Sequence, residues 1–309
     1  MTVTNIIDIE ENELRNKDNL LGILLTDFST NSTIIWATDS YLKHGKHFSP
    51  KQKIQIKLVT GIYGKTIRPR ASKSLREQKK RTKEKAEVFT PLDVVSKMNS
   101  GIDELKYKKI DNSNWKKYIQ ELKLEITCGE APFIVTRYDP TSNHGELIRI
   151  KDRVGFLDKK LQVVSKFCKN KKDWIKWAKK AFMSSYGYEW QGDNLLIARE
   201  NMLYTFTDYY KDKFNEEPNI KLQHEMALII AWNVFQMDGI KYVIPMSCFE
   251  DKIIKPPNMR MFGVEEDEIE KNIPCEGCKT GNPFKHTGIY AKTMDWETNK
   301  ATRFVDLLK

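Results

Sequence analysis

The feature that most constrains this chain is the alternation, from residue 87 onward, of helix-spaced stretches with short apolar segments. Leu122 to Thr127 is a strand candidate followed closely by Gly129. Trp174, Trp177, Ala178 and Ala181 carry the i, i+3, i+4, i+7 spacing of a helix with one apolar stripe, and Lys176, Lys179 and Lys180 fall on its other side. Leu195 to Tyr210 and Leu222 to Phe235 add two further stretches that read as helical or as entering a strand. Helices and strands in alternation predict an α/β fold, a sheet wound with helices.

The first sixty residues read differently. Leu20 to Thr26, Thr33 to Thr38 and the alternating Lys53 to Val59 resemble strands, and Asn31-Ser32 supplies a turn for a hairpin between the first two. We therefore expect a small N-terminal β-rich module over residues 1–64, a connector over 65–86, a core over 87–250 and a loop-rich extension over 251–309. That extension contains Pro256-Pro257, an acidic run from Glu265 to Glu270 and a cysteine-rich turn. The sequence contains no internal repeat.

The connector concentrates the charge. Of the net +10, residues 65–85 carry +8, from ten basic side chains against Glu77 and Glu84. Such density suits a polyphosphate surface, because each phosphate neutralised releases counterions. Lys79, Lys80, Arg81 and Lys83 are the expected DNA contacts, and a solvated helix face is the competing explanation. Asp8, Glu10, Glu11 and Glu13 stand where a secretory signal would be basic, and the apolar run Met226 to Trp232 is too short to span a bilayer. The expectation is a cytoplasmic chain with no membrane partner. Its five scattered cysteines are expected as reduced thiols.

Three segments carry a more specific pattern. The first, Glu87-Val88-Phe89-Thr90-Pro91, precedes an amphipathic stretch ending in Met98; Thr90 could cap a helix beginning at Pro91, leaving amide donors for a carboxylate. The second is Glu125-Ile126-Thr127-Cys128-Gly129-Glu130-Ala131-Pro132-Phe133. The third runs from Tyr186-Gly187-Tyr188-Glu189-Trp190 to Ala198-Arg199. Together and in this order they resemble the cofactor-binding motifs of S-adenosyl-L-methionine-dependent, adenine-specific DNA methyltransferases of restriction-modification systems, in their type II or type IIG-like form. A weaker match, Asn233 to Gly239, contains Asp238, for which an Asp-Gly turn is the competing explanation. The matches span residues 87–239, about half the chain.

The resemblance implies a Rossmann-like class I methyltransferase core. It places Phe89, Thr90 and Pro91 near the methionine end of the cofactor and Glu125, Cys128 and Gly129 around it. Glu189 would accept the ribose hydroxyls, Trp190 would lie against the adenine unless it is a plain core residue, and Asp238 would accept the adenine amino group. Two positions depart from the pattern. Ile126 replaces a proline, and Ala131 stands where a glycine is usual; because alanine does not freely take a positive φ, a shifted backbone is expected there. The sixty positions between Gly129 and Glu189 exceed the roughly 20 of a simple nucleotide-binding unit, so an insertion or extra helix is expected between them.

The family's catalytic Asn/Asp/Ser-Pro-Pro-aromatic loop, which holds and polarises a flipped adenine, has only two partial counterparts: Lys255-Pro256-Pro257-Asn258 and Asn282-Pro283-Phe284. No catalytic residue is assigned. The chain is expected to bind cofactor and double-stranded DNA yet be incomplete for catalysis, working with a second polypeptide that carries the catalytic motif and alongside a restriction endonuclease. A DNA-binding or regulatory subunit with a vestigial methyltransferase core is the alternative, and a methyltransferase acting on RNA or protein is a further rival. Cys275-Glu276-Gly277-Cys278 has zinc-knuckle spacing with His286 as a third ligand, while Cys248 is distant in sequence. A structural zinc needs four ligands, so the default is a reduced, exposed turn and no metal.

Overall fold

The computed structural model describes residues 19–142, 145–249, 251–254 and 270–308. The elements follow in chain order: helix α1 (Leu20–Leu25), strands β1 (Thr26–Asp27) and β2 (Ser32–Thr33), helices α2 (Leu75–Lys85), α3 (Leu92–Lys106) and α4 (Trp115–Gln120), and strand β3 (Lys123–Glu125). Helices α5 (Phe156–Phe167) and α6 (Lys171–Met183) lead to β4 (Ser185–Glu189), and helices α7 (Gly192–Phe214) and α8 (Ile220–Asn233) lead to β5 (Val234–Gln236). The remainder is a ribbon of β6 (Asp251–Ile254) and β7 (Glu270–Ile273), a short helix α9 (Glu276–Thr280), and a hairpin of β8 (Lys292–Asp295) and β9 (Lys300–Arg303).

Helices and small sheets are thus mixed, compatible with the α/β expectation. The central sheet has the order β3-β4-β5, both pairings parallel, with Glu125 beside Gly187 and Glu189 beside Gln236. Parallel neighbours need a long crossover, and here each crossover is a pair of helices. The first pair, α5 and α6, accounts for the long interval between Gly129 and Glu189. Helix α6 forms as its spacing predicts: Trp174, Ala178 and Ala181 are fully buried. Asn170 caps it by accepting from the Asp173 amide at 2.9 Å.

The N-terminal segment departs from expectation. Among its described residues it is not β-rich: Leu20 to Leu25 is helical, and strand pairing is confined to two two-residue strands, with Asn31 in the turn before Ser32. Four of its six residues are leucine and only Ile23 is β-branched, so strand preference is weak, and burial against α8 fixes the helical form. Beyond these strands the described part of this segment holds an isolated bridge between Ile35 and Lys53, loops, and four single turns of 3₁₀ helix. Its apolar residues, Leu20, Leu24, Ile34, Trp36 and Phe48 among them, join the same core cluster as Leu195, Met226 and Val234. The core therefore runs across the expected boundary near residue 86 without a break.

The segment beyond residue 274 also docks on the sheet. Phe304 packs against Tyr188 and Phe235, and the Trp296 indole donates to Asn233 Oδ1 at 2.7 Å. All five cysteines are free thiols. No helix among the described residues is long and apolar enough to cross a membrane.

Candidate functional site

The carboxyl ends of parallel strands are where an open α/β sheet leaves a crevice for ligands. At the carboxyl ends of β3 and β4 lies a cleft of about 530 Å³, within the usual range for a small-molecule site. Thr127 after β3, Glu189 and Trp190 at the end of β4, and Gln191 and Asn194 at the start of α7 form one side. Ala86, Val88 and Phe89 form another, and Ala37, Thr38 and Asp39 close it from the N-terminal segment.

The loop after β3 is bent tightly. Thr127, Gly129 and Ala131 all take positive φ, 45°, 55° and 65°. Ala131 thus adopts the left-handed conformation itself instead of forcing a shifted loop, at a cost of about 1–2 kcal/mol. Its methyl group is fully buried, so packing offsets part of that cost. Gly129 has less latitude, because a Cβ there would lie 3.0 Å from the Phe89 ring, which would have to give way. The first and second motifs therefore meet in space through Phe89 and Gly129, and the third joins them through Glu189, whose Oε2 accepts from the Gly129 amide at 2.8 Å. Glu189 Oε1 accepts from the Gln191 amide at 3.0 Å. Burial pushes the Glu189 carboxyl up to about 7, and the two amide donors hold it from rising further.

The other expected cofactor contacts sit elsewhere. Glu125 is buried beneath the loop, its two oxygens accepting from the Phe133 and Ile134 amides at 3.2 and 3.0 Å. Burial raises its carboxyl well above the ordinary range, and these amides counter the rise. It anchors the loop and does not line the cleft. Cys128 is buried against Gly187, and its amide donates to Tyr188 O at 2.8 Å. Asp238 accepts from the Ile240 and Lys241 amides through Oδ1, the geometry of a plain Asp-Gly turn. Thr90 does not cap α3: Pro91 holds the N-cap position, and no side chain bonds to it. Thr90 and Pro91 are not among the lining residues. Trp190 does line the cleft, with its indole donating to Ala37 O at 3.0 Å.

The basic helix α2 divides into two faces. Lys79, Lys80 and Lys83 are exposed, together with Arg76. Arg81 is buried and is not available to a phosphate. Its Nε donates to Glu87 at 2.6 Å, and its NH2 group donates to Asp193 at 2.7 Å. Tyr41 completes this network by donating to Asp193 at 2.8 Å. Sequence reading missed Asp193, Asn194 and Gln191. Asn194 is buried and lines the cleft. Its amide nitrogen donates to Glu87 at 3.4 Å, while its Oδ1 has no protein donor. The sequence signal for this group was its position just after Glu189, at the mouth of a helix that follows a parallel strand.

Asn282, in the weaker catalytic candidate, accepts from the Phe284 amide at 2.9 Å, an ordinary Asx turn away from the cleft lining. Lys255 to Asn258 lie outside the described residues. The cysteine-rich turn is not isolated: Cys248 comes to Cys275, Cys278 and His286. No protein family model matches the chain, and no curated protein or solved structure matches it.

Proposed function

We propose that this chain binds S-adenosyl-L-methionine at the carboxyl ends of β3 and β4, on a Rossmann-like class I methyltransferase core. In this reading it serves as a component of an adenine-N6-specific DNA methyltransferase of a restriction-modification system. The observation that carries the reading is the joining of three sequence-distant motifs at one cleft: the Phe89 ring on Gly129, and the Gly129 amide on Glu189. A carboxylate at the tip of the second parallel strand has lone pairs left for a vicinal diol after accepting two amides. Asn194 Oδ1, buried and without a donor, offers an acceptor to an amino group on the ligand. Phe89 and Trp190 supply apolar walls for a ring.

Isothermal titration with S-adenosyl-L-methionine tests the reading. Saturable binding is expected in the wild type, with loss of at least tenfold in Glu189→Gln, which keeps the shape of the side chain but weakens its acceptance of hydroxyls. No binding above background, or equal binding by the variant, would remove it. A DNA-binding or regulatory subunit with a vestigial core is favoured by a different observation: Glu125 and Asp238 are both spent on their own backbone. That reading gives duplex affinity with no cofactor affinity. Double-stranded DNA, a second polypeptide supplying the catalytic loop and an associated restriction endonuclease are the partners implied by the leading reading.

A further inference from the structure

We propose that Cys248, Cys275, Cys278 and His286 form a structural zinc site. The four ligand atoms lie within 4.8 Å of one another. From His286 Nδ1 the three sulfurs are 3.7 Å (Cys248), 3.5 Å (Cys275) and 3.7 Å (Cys278) away. Tetrahedral zinc with ordinary Zn–S and Zn–N bonds sets sulfur and nitrogen about 3.5–3.6 Å apart. Three sulfurs at that spacing around one nitrogen form a tetrahedron of metal-binding size. Direct hydrogen bonding does not account for it, since the Nδ1 of one imidazole cannot satisfy three thiols.

The surroundings are shaped to hold these side chains. A Cβ at Gly277 would lie 2.6 Å from His286 Nδ1, so the second of the two residues between the turn cysteines must be glycine for the ring to enter. A Cβ at Gly288 would lie 3.0 Å from Cys248 Sγ. The Thr287 amide donates to Cys275 Sγ at 3.2 Å, the outer hydrogen bond that steadies a metal-bound thiolate. The Gly277 amide donates to Lys285 O at 2.7 Å and ties the turn to the segment bearing the histidine. Three soft sulfurs and one imidazole select zinc over oxygen-seeking cations, and four protein ligands leave no open position for chemistry.

The site has a clear mechanical role. Cys248 stands just before β6 and Cys275 just after β7, and antiparallel pairing puts both at the same end of that ribbon, so one ion would tie its two strands together there and to the α9 turn and His286. Sequence spacing grouped Cys275, Cys278 and His286 but, lacking a fourth ligand nearby, gave a reduced turn with no metal as the default; Cys248 joins them in space because the pairing of β6 with β7 brings it beside Cys275.

Metal analysis on the full-length protein, purified without a polyhistidine tag, tests the proposal. We expect close to one zinc per chain after exhaustive dialysis, with Cys168→Ser retaining it and Cys248→Ser losing most of it. Replacing the metal in the wild type with cobalt(II) should give the intense visible bands and thiolate charge-transfer absorption of a tetrahedral sulfur site. This measurement stands even if the cysteine variants fail to fold. Wild-type protein with less than a tenth of an equivalent of zinc that also develops no tetrahedral cobalt spectrum would overturn the site. So would a disulfide among Cys248, Cys275 and Cys278 in the protein as isolated. Neither result bears on cofactor binding, since none of the four ligands lines the cleft.

Discussion

The carboxyl of Glu189 connects a local environment to a measurable pH dependence. Burial raises its pKa to about 7 in the folded protein, above the ordinary carboxylate value. The protonated form is therefore favoured below about pH 7 in the unliganded fold, and the stability this confers is present at low pH and is lost as pH rises through about 7. A ligand whose hydroxyls donate to the carboxylate favours the ionised form and must expel the proton. Between pH 6 and pH 8 the ionised fraction rises about tenfold, so cofactor affinity should rise by about the same factor. Glu189→Gln should flatten the profile, and titrations at the two pH values check both statements. Gly129 offers a second test at this scale. Gly129→Ala forces a side chain into the left-handed region and against the Phe89 ring, so a loss of about 1–2 kcal/mol is expected with weakened cofactor binding. An unchanged urea midpoint would contradict this account of the loop.

Helix α2 shows how far a charge run can be read from sequence. Its density of lysine and arginine was plain, but the direction each side chain faces was not, because that depends on what the helix packs against. Gln78 and Arg81, one turn apart, are its buried residues, and the acids that receive Arg81 come from residues 87 and 193. We expect Lys79→Ala, Lys80→Ala and Lys83→Ala together to weaken binding to all duplexes alike. The slope of log affinity against log salt should fall by up to about 2.7. Arg81→Gln should act differently, leaving buried acids unpaired at a cost of about 3–5 kcal/mol. The thermal unfolding midpoint should then drop by roughly 5–8 °C. An unchanged salt slope in the triple variant would make the exposed face a solvated surface only. Helix α6 was fully legible, since four apolar residues at helical spacing admit one face. The leucines of α1 were not, because a short apolar run fits a strand or a buried helix equally and only its packing decides.

At the scale of the molecule, three segments singled out in the sequence meet at one cleft, while the roles of single residues within it were less legible. Phe89, Glu189 and Trp190 reach the lining, but Glu125, Cys128 and Asp238 serve the loops that shape it. An acid in such a motif looks the same in sequence whether it faces a ligand or its own backbone amides. Among the described residues, the cleft lining contains no polar residue followed by two prolines and an aromatic. The chain alone should therefore bind cofactor yet incorporate no labelled methyl groups into unmethylated DNA. Incorporation should appear on addition of a polypeptide that supplies such a loop. Strong incorporation by the chain alone that vanishes in Asn282→Ala would reverse this and make Asn282 catalytic.

The side chains of Arg199 and Gln236 also bear on how the chain is made. Arg199, buried deeply enough that its guanidinium is pulled down to about 10, donates to the carbonyls of Leu24 and Thr26 as well as to those of Ala231 and Val234. Gln236 grips both the amide and the carbonyl of Ile35, 201 positions earlier. On a ribosome adding roughly 5–20 residues each second, the leucines of α1 leave the exit tunnel on the order of ten seconds or more before these clasps exist. The α1 segment is thus made well before the residues that lock it in place. A nascent chain halted short of Arg199 would hold that leucine-rich stretch in a state open to chaperones.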